Sequence, residues 1–152
     1  MITILTGLPA NKKDDSKICR DFSVAEGIKA ICGSSTMKMY CRELNIIPKI
    51  EIINGCKMLP EAVYTIEGID FACEGVITLN QCYRILTGES KACGQASQLA
   101  NLLKTAKNVH FIIGTADNKE KETYLQNNLL PRKEITGKIV SILNAKTEIT
   151  FI

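Results

Sequence analysis

Tryptophan is missing from this 152-residue chain, and four tyrosines and four phenylalanines are all the aromatic surface it has. An interface that stacks nucleic-acid bases on aromatic rings therefore has no support. Histidine occurs once, as His110, and none of the seven cysteines forms a Cys-x-x-Cys step. The paired-ligand spacing of a structural zinc site is absent, and an odd cysteine count argues against a disulfide framework. Cys19, Cys32, Cys41, Cys56, Cys73, Cys82 and Cys93 read instead as small apolar core residues of a reducing cytoplasm. No apolar run approaches the roughly 18 residues that span a bilayer. The amino terminus, with Pro9 and then Asn11-Lys12-Lys13-Asp14-Asp15, lacks a signal-peptide pattern. A cytoplasmic protein without a membrane partner is the expectation. The net charge of +3 and the charged fraction of 23% are far from those of a disordered tail or a protein that wraps nucleic acid.

What remains is a chain with 45% hydrophobic residues, long enough to bury one core and cramped for two. No repeat, low-complexity tract or interdomain linker divides it, so residues 1–152 read as a single domain. Short apolar runs alternate with helical stripes. That pattern predicts an α/β fold, a mostly parallel sheet flanked by helices, three-layered and Rossmann-like. Strands are expected at residues 2–5, 28–32, within 46–53, within 68–75, at 109–113 and at 147–152. Pro48 restricts the beginning of the third of these to an edge or a turn. A helix is expected over 15–24, started by Asp14 or Asp15. Helical stripes then run through Met37, Tyr40, Cys41 and Leu44, through Leu79, Cys82, Tyr83 and Leu86 with a cap at Thr78, and through Leu99, Leu102, Leu103 and Ala106. A last stripe, Ile135, Ile139, Ile142 and Leu143, is opened by Pro131. Residues 56–67 read as a loop or short ribbon, and 117–128 as a polar surface excursion.

The best candidate site is Cys32-Gly33-Ser34-Ser35-Thr36. Strand, glycine, hydroxyls and helix, in that order, put open backbone amides and hydroxyl donors at a helix amino terminus, which suits a phosphate or carboxylate. A plain helix cap is the competing reading. Met37 and Lys38 stand where a capping box needs Glu or Gln, and no Gly-Lys-Ser/Thr follows to make a Walker loop. Cys32 as a nucleophile has no histidine partner that can be identified. A second rim, Gly114-Thr115-Ala116-Asp117-Asn118, follows the clearest strand. Loops at the carboxyl ends of parallel strands converge, so the two rims are expected to face one volume. Asp70 and Glu74 are candidate carboxylates at that edge, sharing a face in either a helix or a strand. Lys12, Lys13, Lys17, Lys119 and Lys121 read as solvated charge, and His110 as a satisfied core residue.

Lys29-Ala30-Ile31-Cys32-Gly33-Ser34-Ser35-Thr36 followed by Cys41-Arg42-Glu43-Leu44 resembles the carboxyl-terminal region of bacterial phosphatases of the stage II sporulation protein E type. There Cys-Gly-Gly-Thr-Thr precedes a helix ending in Arg-Glu-Leu. Residues 68–79, Gly-Ile-Asp-Phe-Ala-Cys-Glu-Gly-Val-Ile-Thr-Leu, are similar to the Gly-Ile-Asp-Leu-Val-Thr-Glu-Gly-Ile-Leu-Thr-Leu segment of those proteins. Ile112-Ile113-Gly114-Thr115-Ala116 is similar to a third block, and Thr6-Gly7-Leu8-Pro9 to the seam that follows the catalytic domain. The resemblance covers roughly residues 3–145. Ser34 replaces the second glycine of the loop, and Asn118-Lys119-Glu120-Lys121 replaces an Asn-Pro-x-His-x-Asn-Pro stretch. The Asp-Gly step common in the two-metal catalytic domain is absent from this chain.

The resemblance implies a regulatory domain without catalytic residues or a cofactor of its own, downstream of a serine/threonine phosphatase domain that would use divalent metal. Its ligand, an anionic small molecule or a phosphorylated protein, is expected at Cys32, Gly33, Ser34, Ser35, Thr36, Asp70, Glu74, Gly114 and Thr115. The upstream domain is a further partner. Two other readings stand beside it: a phosphate-handling hydrolase using the same loop with Asp70, Glu74 or Asp117, and a dimerisation module.

Overall fold

The computed structural model describes residues 1–117 and 121–152. In chain order it contains β1 (Ile2–Thr6), α1 (Asp15–Ser23), β2 (Ile28–Cys32), α2 (Ser34–Leu44), β3 (Lys49–Asn54), β4 (Pro60–Thr65), β5 (Phe71–Cys73), α3 (Val76–Leu86), α4 (Gly94–Thr105), β6 (Asn108–Ile113), α5 (Lys121–Gln126), α6 (Arg132–Ile142) and β7 (Lys146–Phe151). Every residue of β1 is buried, and this strand takes the centre of a five-stranded sheet ordered β5-β2-β1-β6-β7. All four pairings in that sheet are parallel. A parallel sheet must be covered on both faces, which is why its inner strands are nearly continuous apolar runs.

Side chains alternate across the strands into two cores. Ile4, Cys32, Cys73 and Phe111 face Leu79, Leu99, Leu103 and Ile139 of α3, α4 and α6. Leu5, Ile31 and Ala72 face Cys19, Phe22, Met37 and Tyr40 of α1 and α2. The Phe22 and Tyr40 rings meet edge to face at 5.7 Å. The chain thus winds outward from β1 through β2 to β5 with helices on one face, then crosses back to β6 and β7 with helices on the other. The resulting single α/β domain, a parallel sheet between helical layers, has the class that the hydrophobic periodicity predicts.

Local expectations fail where a tertiary partner intervenes. The strand expected within 46–53 does not join the main sheet; β3 pairs antiparallel with β4 as a separate ribbon, and most of its residues are exposed. Asp15 does not cap α1. It is buried and accepts from Arg42 Nη2 of α2 at 2.6 Å, while Asn11 caps a short 3-10 turn ahead of the helix by accepting from Lys13 N. Thr78 lies inside the first turn of α3, whose cap is Gly75. Within the expected polar excursion, Lys121–Gln126 is helical; Asn118, Lys119 and Glu120 lie outside the described residues. His110 is half-buried and shares a 2.9 Å hydrogen bond with Thr150 Oγ1 of β7.

The reading of all seven cysteines as thiols is also corrected. Cys56 and Cys93, 37 residues apart, form a disulfide with their Cα atoms 5.1 Å apart. Glu61 of β4 reaches the same corner: one carboxylate oxygen accepts from Cys56 N at 3.1 Å and the other from Gln95 N at 2.9 Å. The ribbon is therefore folded onto the start of α4, and that contact, invisible in sequence spacing, brings the two cysteines together. The other five are buried thiols. Among the described residues no helix is long and apolar enough to cross a membrane.

Burial pushes the Cys19 and Cys82 thiols from 9.0 up to about 12. An unfolded chain ionises these groups above pH 9 while the folded chain holds them neutral, so their stabilisation is present below pH 9 and is lost as pH rises toward 12. Stability is expected to fall by on the order of 1 kcal/mol per pH unit for each thiol across that window. Urea midpoints of the wild type and of a Cys82→Ala variant should converge as pH rises. A difference independent of pH would show that this thiol is not protected.

Candidate functional site

Four loops at the carboxyl ends of β1, β2, β5 and β6 are positioned by the register of the sheet. The loops after β1 and β6 flank the point where strand order reverses, the usual crevice of an open parallel sheet. Gly114 N donates to Thr6 O at 2.8 Å and Ala116 N to Leu8 O at 3.1 Å, so these two loops run together. On the other side of β1, Gly33 N donates to Cys73 O at 2.9 Å, which ties the exit of β2 to that of β5. Gly7 N donates to the buried Thr36 Oγ1 at 2.8 Å and draws the first loop onto α2. A pocket of about 500 Å³ opens between them.

Besides α6, two helices begin at this pocket. Gly33 precedes α2 and Gly75 precedes α3, and neither helix has a side-chain cap. The two glycines pack backbone to backbone: a methyl group on Gly75 would lie 3.2 Å from Gly33 Cα. The first-turn amides at 34–36 and 76–78 precede the first intrahelical bond of each helix, and both macrodipoles present their positive ends to the same space. Ser34 and Ser35 are exposed on the floor of the pocket. Ser34 has no positive φ and sits there without backbone strain; the positive φ of 129° falls on Gly33.

The opposite wall carries Arg132, the first residue of α6. Its Nε donates to Thr6 Oγ1 at 3.1 Å, and that hydroxyl donates on to Cys32 O at 2.8 Å. Burial lowers the guanidinium from its usual range, only partly offset by Tyr124 and Cys32. Among the described residues it has no carboxylate partner. A half-buried cation at a helix amino terminus opposes the macrodipole and calls for an anion. Glu74 and Asp117 also line the pocket, as do Tyr64 of β4 and Tyr124 of α5. Burial, with the Glu74 carboxylate adding to it, raises the Tyr64 phenol.

The expected site residues divide three ways. Gly33, Ser34, Ser35, Thr36 and Glu74 come together in the pocket. Gly114 and Thr115 line a neighbouring hollow of about 300 Å³, which shares Ala116, Asp117, Tyr124 and Arg132 with the first. Thr115 there is committed to the residue that follows β7, with both its N and its Oγ1 donating to Ile152 O. Cys32 and Asp70 fall outside. The Cys32 side chain points into the core, accepting from Cys73 Sγ at 3.5 Å, because strand alternation aims residues 30 and 32 at α3 and α4. Asp70 stands at the amino end of β5, where it accepts from Lys29 N at 2.8 Å and its own N donates to Lys29 O. The three-residue strand β5 separates it from Glu74, so the two carboxylates flank opposite ends of β5.

Arg132 and Gly75 were not picked out by pattern. A signal for the first exists in Pro131-Arg132-Lys133, which puts two cations in the first helical turn where acidic residues are favoured. The chain matches no protein-family model, no curated protein and no solved structure.

Proposed function

We propose that this chain is a non-catalytic ligand-binding domain of the kind attached to stage II sporulation protein E-type phosphatases, taking a phosphate-bearing anion, free or on a protein. The observation that carries this reading is the convergence on one pocket of two uncapped helix starts with a half-buried Arg132 that has no carboxylate partner among the described residues. Each element alone is common. Together they offer main-chain donors, positive dipole ends and a fork of guanidinium donors to one tetrahedral anion. Glu74 and Asp117 would repel a second anion and accept from hydroxyl or amino groups. A monophosphorylated ligand with sugar-like hydroxyls therefore fits better than a chain of phosphates.

Titration of the 15N-labelled chain with inorganic phosphate and a panel of nucleoside monophosphates is expected to shift the amides at 33–36 and 75–78. Arg132→Gln removes a charge-assisted pair and should weaken binding by about tenfold to a hundredfold. A panel that moves none of these amides defeats the proposal. The hydrolase reading draws on one observation, the carboxylates of Glu74 and Asp117 beside the same helix starts. It requires release of phosphate from a generic phosphoester, with loss of that activity in Glu74→Gln.

A further inference from the structure

The β3–β4 ribbon runs beside β5 without laddering to it, and among the described residues β3 is paired on one side only. Gly55 N donates to Leu59 O at 2.7 Å, which continues the β3–β4 register into the turn. Bonded and non-bonded pairs alternate along an antiparallel ladder. Ile53–Glu61, Glu51–Val63 and Lys49–Thr65 are therefore the bonded pairs, and the N–H and C=O groups of Ile50, Ile52 and Asn54 point away from β4. That open edge is apolar as well: Ile47, Ile50 and Ile52 are 92%, 56% and 68% exposed. Long edge strands with exposed isoleucines and no blocking bulge are templates for another strand.

We propose that β3 is a homodimer edge, where two copies of this chain pair their β3 strands antiparallel about a two-fold axis through Ile50 and join the ribbons into one four-stranded sheet. The register follows from charge. A two-fold midway between Ile50 and Ile52 would set Glu51 directly against Glu51 of the second copy, and one through Ile52 would set Glu51 against Ile53. The axis through Ile50 sets Lys49 against Glu51 of the other copy, twice, in the closer non-bonded pairs. It also sets Ile50 against Ile50 and Ile52 against Pro48. Like charges directly opposite are destabilising and opposite charges stabilising, so the strand is self-complementary in this register alone of the three. Pro48 lacks an N–H, so the pairing makes four backbone hydrogen bonds: two between the Ile50 residues and one from each Ile52 to the Pro48 carbonyl of the other copy.

Sedimentation velocity over a concentration series tests this on the whole chain. The wild type should pass from monomer to dimer, and Ile50→Lys, at an exposed position, should remain monomeric with an unchanged circular dichroism spectrum. Lys49→Glu and Glu51→Lys should each weaken self-association by about tenfold or more. The double reversal should restore it, and an equimolar mixture of the two single variants should form a heterodimer. Recovery of that kind requires the cross-strand pair and is not produced by loss of folding. A wild type that stays monomeric throughout, or a dimer unaffected by both single reversals, overturns the proposal.

Discussion

Removal of the Cys56–Cys93 disulfide, by a dithiol reductant or by the double Cys56→Ser/Cys93→Ser change, is expected to cost up to about 4 kcal/mol. The figure follows from the loop that the bond closes, with a sequence separation of 37 between partners, and the chain entropy that such a loop denies the unfolded state. For a chain of this size it corresponds to a fall in Tm of roughly 8–16 °C. The native ribbon should keep its place nonetheless. Glu61 still accepts from Cys56 N and Gln95 N, and Gln95 Nε2 still donates to Ala62 O at 2.6 Å. The expected result is thus a lower urea midpoint with a largely unchanged native spectrum, and a reductant without effect on the double variant. If reductant leaves the wild-type midpoint where it was, the bond does not form in solution.

Gly33→Ala is expected to cost about 3 kcal/mol and to abolish the anion site with it. Its φ of 129° and ψ of 132° belong to a region that side-chain-bearing residues enter at a cost of about 1–3 kcal/mol. The new methyl would sit 3.0 Å from Thr36 Oγ1, the atom that accepts from Gly7 N, so a buried hydrogen bond worth about 1 kcal/mol is disturbed as well. Gly137 provides the contrast. It lies inside α6, where among the described residues an added methyl meets nothing beyond its own turn of helix, and Gly137→Ala should stabilise the protein by up to about 1 kcal/mol through helix propensity. Chemical denaturation of both variants checks the pair. Equal stability of Gly33→Ala and wild type would show that this loop does not hold the described conformation.

Much of the architecture is legible without coordinates because its signals are local. Periodicity at 3.6 residues marks α2, α3 and α4, each of which turns that stripe onto the sheet. Apolar runs mark β1, β2 and β6 because a parallel sheet buries both faces of its inner strands. Where local signals are weak, the reading drifts. The strand β3 resembles a sheet strand in composition, yet nothing in Lys49–Asn54 says that its partner is β4 and not a central strand. Asp15 resembles a cap, and only the approach of Arg42, 27 residues away, makes it one half of an ion pair.

The site shows the same division. The strand-glycine-hydroxyl-helix order at 32–36 is chemistry written in consecutive residues, and the structure places Gly33–Thr36 on a pocket at the sheet's carboxyl edge. Glu74 is there too, but its companion Asp70 stays at the amino end of β5, which runs between them. By itself the sequence determined the element order, the parallel class and one wall of the pocket, since those depend on short-range spacing and on which face must be buried. Only the tertiary structure decided that Cys56 meets Cys93, that Gly75 packs on Gly33, and that Arg132, 126 residues from Thr6, completes the opposite wall. Those contacts depend on how strands are ordered within the sheet, and strand order is set by the joint burial of both its faces.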